Sequence, residues 1–337
     1  MFVSPRPEIE PLSEKEVPRG RRFALLPWLR LMRLPNVFTA IADVAMGYLF
    51  VQREVTDGRV LGCLIGASAA LYTAGIVFND VFDREIDAKE RPFRPIPSGQ
   101  ISLASARFLA MTLLIVGIAA GWIADVLPGA QSETPWRSGV VASILGLSIL
   151  AYDAFLKNTP FGPGAMGACR FLNVVLGMSG GQWAGGQNEI LGFGDGALLV
   201  AMGIFLYIVG VTAFARGEAS TSRRGPLIAG MGSMVIGVIS LGASACYTTL
   251  RFNSQIYGRQ LYWVLLAVLM FTVLRRCGAA VVDPASKKVQ AAVKLAILSL
   301  IWFDAATVLV VAGPVYGLAI AALLIPALLL GRWVYST

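Results

Sequence analysis

The sequence predicts an all-α polytopic membrane protein, a bundle of about nine to ten transmembrane helices. Composition is the first reason. Apolar residues make up 56% of the 337 and charged residues only 14%, where a soluble domain carries about 25% charged residues. The mean hydropathy of +0.69 agrees. Distribution is the second reason: the apolar residues fall into stretches of about 20, the length a helix needs to cross the hydrocarbon core. The third is a strong imbalance of Lys and Arg between alternate connections, as expected of a chain that threads a bilayer repeatedly.

Residues 1–33 read as a cytoplasmic tail. Residues 1–22 are polar and carry Pro5, Pro7, Pro11 and Pro18 and the basic run Arg19-Gly20-Arg21-Arg22, and the apolar core and cleavage site of a signal peptide do not follow. Arg21 to Arg33 mixes Arg with Phe, Leu and Trp, a composition suited to a helix lying along the membrane surface. Residues 34–337 are expected to form the transmembrane domain. Its candidate spans are 36–53, 59–79, 102–124, 136–153, 163–183, 196–215, 227–247, 258–275, 290–312 and 314–334, the last two joined by a tight Gly313-Pro314 turn. Gly62, Gly66, Gly75, Gly203 and Gly210 lie within spans, where small residues let helices approach closely.

Charge sets an expected orientation. With the N-terminus inside and the spans alternating, 23 of the 28 basic residues fall on the inside and 5 outside. The net charge of +8 is thereby read as topology and not as nucleic-acid binding. The chain has no His, which excludes His-ligated haem, His-bound zinc and any His general base. Cys63, Cys169, Cys246 and Cys277 stand singly, without metal-binding spacing, and read as free buried thiols.

The second span leads into Asn79-Asp80-Val81-Phe82-Asp83-Arg84-Glu85-Ile86-Asp87. Spacings of three and four residues put Asp80, Asp83 and Asp87 on one face of a continuing helix. Three like charges on one face repel, and a divalent cation turns the repulsion into attraction. Oxygen-only ligands suit Mg²⁺, which takes a few carboxylates, water and the phosphates of a substrate. The alternative is an acidic helix end balanced by Arg84, Lys89 and Arg91, although the helix dipole disfavours anions there. Three prolines shape the following loop, Lys89 to Gly99, whose cations, Arg94 among them, are placed to neutralise phosphate oxygens.

Two further polar clusters fall on the same side. The fourth span ends in Tyr152-Asp153-Ala154-Phe155-Leu156-Lys157, and Arg170 and Asn173 follow in the fifth. Lys157 and Arg170 are candidates for holding a diphosphate, Lys157 alternatively being a positive-inside anchor. An Arg at position 170, within an apolar run, requires a partner or a polar cavity. Asp43 and Asp304 are intramembrane acids, either functional or paired within the bundle. The third cluster, Thr212 to Ser220, holds Arg216 and one acid, Glu218, or is a solvated loop. Without His, a proton-accepting group would be Asp153 or Glu218. Phe82, Phe155, Trp183 and Tyr207 are aromatic candidates for shielding a carbocation.

The pattern Asn79-Asp80-x-x-Asp83-x-x-x-Asp87, continued by Arg91-Pro92 and Arg94-Pro95-Ile96-Pro97-Ser98-Gly99, resembles the first signature of the UbiA prenyltransferase superfamily. Arg33-Leu34-Pro35-Asn36 ahead of the first span and the Tyr152–Lys157 segment resemble that family too. The resemblance implies a UbiA-like bundle that moves a polyprenyl group from its diphosphate to a hydrophobic or aromatic acceptor with Mg²⁺. It implies Asn79, Asp80, Asp83 and Asp87 as metal ligands, with Asp83 also catalytic. It also implies Lys157 and Arg170 as phosphate contacts, and Asn79, Arg94, Tyr152, Asn173 and Arg216 complete the expected substrate-binding set. The expected partners are a polyprenyl diphosphate, a lipophilic acceptor and membrane lipids, with no nucleic acid. The expected location is a bacterial inner membrane with the aspartates facing the cytoplasm. Members carry a second Asp-rich motif after the sixth span, and here that place reads Ala215-Arg216-Gly217-Glu218-Ala219-Ser220. Together with Tyr152-Asp153 and Cys169-Arg170-x-x-Asn173, this looks most like the EboC-like branch. The eroded motif leaves an alternative, a UbiA-like carrier of a hydrophobic precursor that has lost the chemistry.

Overall fold

A computed structural model describes residues 25–128, 135–181, 189–190, 193–216, 224–248 and 255–334. A short helix α1 (Leu25–Met32) leads into α2 (Leu34–Gln52), α3 (Gly58–Phe82), α4 (Arg84–Glu90), α5 (Leu103–Val126) and α6 (Arg137–Ala151). A π-helical turn (Tyr152–Leu156) and α7 (Gly162–Ser179) follow. A two-residue antiparallel pair, β1 (Glu189–Ile190) and β2 (Phe193–Gly194), precedes α8 (Asp195–Ala215). The chain then continues through α9 (Arg224–Ser244), α10 (Gln255–Val282), α11 (Ser286–Val311), α12 (Pro314–Ala322) and α13 (Leu324–Val334).

Among the described residues, nine helical segments are long and apolar enough to cross a membrane. The fifth expected span, α7, is outside that set because Arg170 and Asn173 sit in its middle. It nevertheless packs inside the bundle, between α2, α6 and α8. Together with the lipid-like exterior, where Phe108, Leu147, Phe271 and Val315 are exposed, this makes the chain an integral multi-pass membrane protein. Lipid replaces the core as the cover for such side chains, so their exposure costs nothing in a bilayer.

The last span departs from the single helix expected over 314–334. It starts as foreseen, with Gly313 at φ 104° and Pro314 in the first turn. It then breaks at Leu323, whose N–H bonds the Ile320 carbonyl at 3.0 Å. Pro326 has no N–H for the carbonyl of Ala322, four residues back, so α12 gives way to α13 there.

The inner part of the bundle is built on close approach. α2 packs against α7, α11 and α3. A Cβ on Gly177 would run into the Val44 carbonyl oxygen, and one on Gly47 into that of Val174. The two backbones therefore touch, as small residues permit in membranes. α8 and α9 do the same where Gly203 faces Gly237 and Gly210 faces Gly230. Away from the aspartate motif, polar caps fix the helix ends. Asp125, at the end of α5, accepts from Ser138 N and Gly139 N at 3.0 and 2.8 Å, satisfying the first turn of α6. Arg137 donates to the Ser179 carbonyl at 3.1 Å, closing α7. Asp57 caps α3 through Arg59 N at 2.7 Å. Hydrogen bonds from the Arg59 side chain and backbone hold the Asp57 carboxyl down at about 2.

Gly177→Leu is expected to destabilise the bundle by about 1–3 kcal/mol through overpacking. Gly62→Ala, with nothing within 4 Å of the added Cβ, should be near neutral. Thermal unfolding midpoints in detergent compare the two, and equal midpoints would contradict the tight α2–α7 contact.

Candidate active site

α3 carries the aspartate motif to one end of the bundle. The helix stops at Phe82, and Asp83 stands between α3 and α4 with φ −82° and ψ 2°. The single helix expected through all three aspartates is therefore interrupted. The ladder persists across the break, with Asp83 N bonding Asn79 O at 2.9 Å, Asp87 N bonding Asp83 O at 2.9 Å and Arg91 N bonding Asp87 O at 2.8 Å. The ψ near zero bends the chain at one residue without unpairing it. Asp is a weak helix former, and this one is drawn toward a cation from another segment.

Each aspartate of the motif meets a different set of cations. Asp80, almost fully buried, pairs with Arg33 and, at 3.4 Å, with Arg94. Asp87, equally buried, pairs with Arg94 at 2.5 Å. Asp83 pairs with Lys157. The repulsion anticipated among the three carboxylates is thus offset by protein cations in this structure.

Each cation is held by a local device. Arg33 sits between α1 and α2 with φ 42° and ψ 48°, a left-handed conformation unusual for a residue with a Cβ. Strain of this kind persists where the surroundings over-determine it, commonly at functional positions. Arg94 stands in the proline-shaped loop. Ser98 N bonds Arg94 O at 2.9 Å, Ile101 N bonds Pro95 O at 3.0 Å, and Gly99 turns the chain at φ 74°. Lys157 closes the π-helical turn, its N–H bonding the Tyr152 carbonyl five residues back at 2.9 Å. π-turns recur at functional sites because one extra residue re-aims the side chains that follow.

The same turn brings Asp153 to the motif, where it accepts from Asn79 Nδ2 at 3.3 Å. Tyr152 is half-buried beside Asp153, Cys169, Arg216 and Asp83. Arg216, exposed, donates to the backbone carbonyls of Thr159 and, at 3.4 Å, Lys157. It therefore braces the segment that presents Lys157. Glu218 lies outside the described residues, as does Trp183.

Arg170 and Asn173 are brought elsewhere. Arg170 Nη1 donates to Asp43 Oδ2 at 2.5 Å, Nη2 donates to Thr39 at 2.8 Å, and the guanidinium covers the Tyr72 ring at 4.8 Å. Asn173 donates to Ala40 O at 2.9 Å and accepts from Ser68. The partner that an Arg within an apolar run requires is thus Asp43, and both residues spend their hydrogen bonds on α2 and α3 at Thr39, Ala40, Asp43 and Ser68, none of which belongs to the aspartate motif. Among the aromatic candidates, Phe82 and Phe155 are exposed, while Tyr207 is committed to Ala296 O at 2.9 Å and to the Phe303 ring. Sequence reasoning placed Arg33 only ahead of the first span and missed it as a partner of Asp80. Its one signal was position, an Arg directly before Leu34-Pro35 at the start of the span.

Asn79, Asp80, Asp83 and Asp87 offer oxygen donors only, a set that fits Mg²⁺. Among the described residues, no group of three or more acidic or thiol side chains converges on one metal position. A metal would take oxygens now held by Arg33, Arg94 and Lys157, freeing those cations for an anion.

Arg94→Gln is expected to lower stability by about 1–3 kcal/mol, because it leaves buried Asp87 without its cation. Adding Asp87→Asn should recover part of the loss, since the two changes share one interaction. Thermal midpoints of the single and double variants measure this, and strictly additive losses would deny the pair.

The family model described as the UbiA prenyltransferase family matches residues 40–294. A digeranylgeranylglyceryl phosphate synthase of Saccharolobus solfataricus is 33% identical over 141 residues, covering 41% of this chain and 45% of that protein. One from Methanoculleus marisnigri is 37% identical over 134 residues, covering 40% and 43%. The chain thus spans less than half the length of these two curated relatives. A UbiA homologue from Archaeoglobus fulgidus, solved with DMAPP and Mg²⁺, superposes with a TM-score of 0.56 at 14% identity, covering 88% of this chain and 99% of that one. At that identity the likeness speaks for the fold. With more than half of its residues matched by the family model and its helices superposing on a solved UbiA homologue, the chain belongs to the UbiA prenyltransferase family.

Proposed function

We propose that this protein is an intramembrane prenyltransferase, moving a polyprenyl group from its diphosphate to a hydrophobic or aromatic acceptor. The observation that carries the reading is the meeting of Arg33, Arg94 and Lys157 with Asp80, Asp83 and Asp87 at one end of an apolar bundle. A diphosphate with its metal can exchange partners with both sets, and the prenyl tail can lie among apolar helices. The names of the relatives, and the DMAPP and Mg²⁺ bound by the Archaeoglobus homologue, support it.

In this reading Asn79, Asp80, Asp83 and Asp87 hold Mg²⁺, which supplies Lewis-acid stabilisation of charge on the diphosphate. Arg33, Arg94 and Lys157 bind the phosphate oxygens and stabilise the charge that builds on them as the allylic C–O bond breaks. The diphosphate leaves with the electron pair. The apolar bundle keeps water from the carbocation, the acceptor forms the new bond, and its proton passes to Asp153, which Asn79 orients. Glu218 is the other candidate for that proton. Tyr152 flanks the site, and Arg216 positions Lys157. Arg170 and Asn173 take no part in the diphosphate subsite, because both are committed to deeper partners.

The aspartates face the cytoplasm in this reading, following the division of basic residues, 22 inside to 5 outside once Arg170, buried within α7, is set aside. In a Cys-free background, Gln100→Cys should be shielded from an impermeant thiol reagent in intact spheroplasts and Glu54→Cys labelled. The reverse pattern would invert the orientation.

The activity is tested with the full chain in liposomes, farnesyl and geranylgeranyl diphosphates, Mg²⁺ and a host membrane extract, following pyrophosphate release. Release should depend on Mg²⁺, stop on chelation, and fall by at least about 10²-fold in Asp83→Ala with the protein still folded. Parent-like release from Asp83→Ala would refute the assignment. Diphosphate binding with no release from the parent would favour the carrier reading, which the eroded second motif motivates.

A further inference from the structure

Deep in the bundle, away from the aspartate motif, Asp43 on α2 and Asp304 on α11 are both completely buried. Their carboxyls face each other within hydrogen-bonding reach. Arg170 from α7 serves only one of them, through Asp43 Oδ2 at 2.5 Å. Among the described residues, no donor reaches Asp43 Oδ1 or either oxygen of Asp304. The polar neighbours are spent elsewhere. Arg170 Nη2 goes to Thr39, and Asn173, which also lies beside the Asp43 carboxyl and not beside Asp304, donates to Ala40 O. Tyr262 from α10 pairs with Thr307 at 2.8 Å, and Tyr72 from α3 lies under the guanidinium.

Two ionised carboxylates are acceptors only and cannot bond each other. Two ionised acids beside one guanidinium would also leave a net negative charge inside the bundle, which is strongly unfavourable away from water. A single proton removes both difficulties. It makes one acid a donor to the other and leaves one negative charge opposite Arg170. We propose that Asp43 and Asp304 share one proton, forming with Arg170 a neutral buried triad that ties α11 to α2 and α7. The inference does not depend on the transferase reading.

The test uses the full chain in lipid, labelled with ¹³C at the aspartate carboxyls, and infrared spectroscopy of the acid carbonyl stretch. The parent should show an isotope-shifted band of a protonated carboxylic acid that is lost in Asp304→Asn. Asp304→Asn should also unfold within about 4 °C of the parent, the amide being the neutral isostere of the protonated acid. The double variant Asp43→Asn/Asp304→Asn, which strips Arg170 of every counter-ion, should unfold at least roughly 10 °C lower. Survival of every acid band in Asp304→Asn would overturn the proposal. So would failure of that variant to fold, or a double variant as stable as the single.

Discussion

A charge carried into hydrocarbon has to bring its partner, and that constraint organises this bundle. Arg170 cannot sit in the middle of α7 alone. Its guanidinium reaches Asp43 on α2 and Thr39 one turn earlier, and covers the ring of Tyr72 on α3. This set works only if α2 and α7 are nearly in backbone contact, which Gly47 and Gly177 allow. Asp304 joins the same centre from α11. Close approach and buried charge thus reinforce each other: the glycines bring the helices together, and the ions penalise any arrangement that parts them.

The same rule operates at the motif end with a different outcome. There the acids outnumber what one helix could tolerate, and the cations come from the α1–α2 junction, a proline-shaped loop and a π-turn. None of these is regular helix. Each departs from ideal geometry at the residue that presents the cation or directly beside it, and Asp83 itself stands where α3 yields to α4. Irregular backbone is expensive within a membrane and is tolerated where it lines protein or a polar cavity. Its concentration around one group of carboxylates sets that end of the bundle apart as the candidate site.

Arg216 links the end of α8 to the π-turn. It bonds the carbonyls of Lys157 and Thr159. A cation there supports the turn carrying Lys157, so the C-terminal end of α8 contributes to the candidate site through the backbone of its neighbour.

The sequence alone determined what composition and spacing can express. Long apolar runs predicted the spanning helices, because burial in lipid selects for them directly, and the Asp80–Asp83–Asp87 spacing pointed to the candidate site. The cost of a lone Arg in an apolar run announced that Arg170 needed a partner. Tertiary structure alone decided which partner. Asp43 is 127 positions away, Arg33 meets Asp80 across 47, and Lys157 meets Asp83 across 74. The break at Asp83, the left-handed Arg33 and the π-turn were likewise invisible, because each results from competition between local helix preference and a distant charge. Periodicity reports which face a residue lies on. The identity of the ion across the gap depends on how the helices pack, and that packing exists only in the folded bundle.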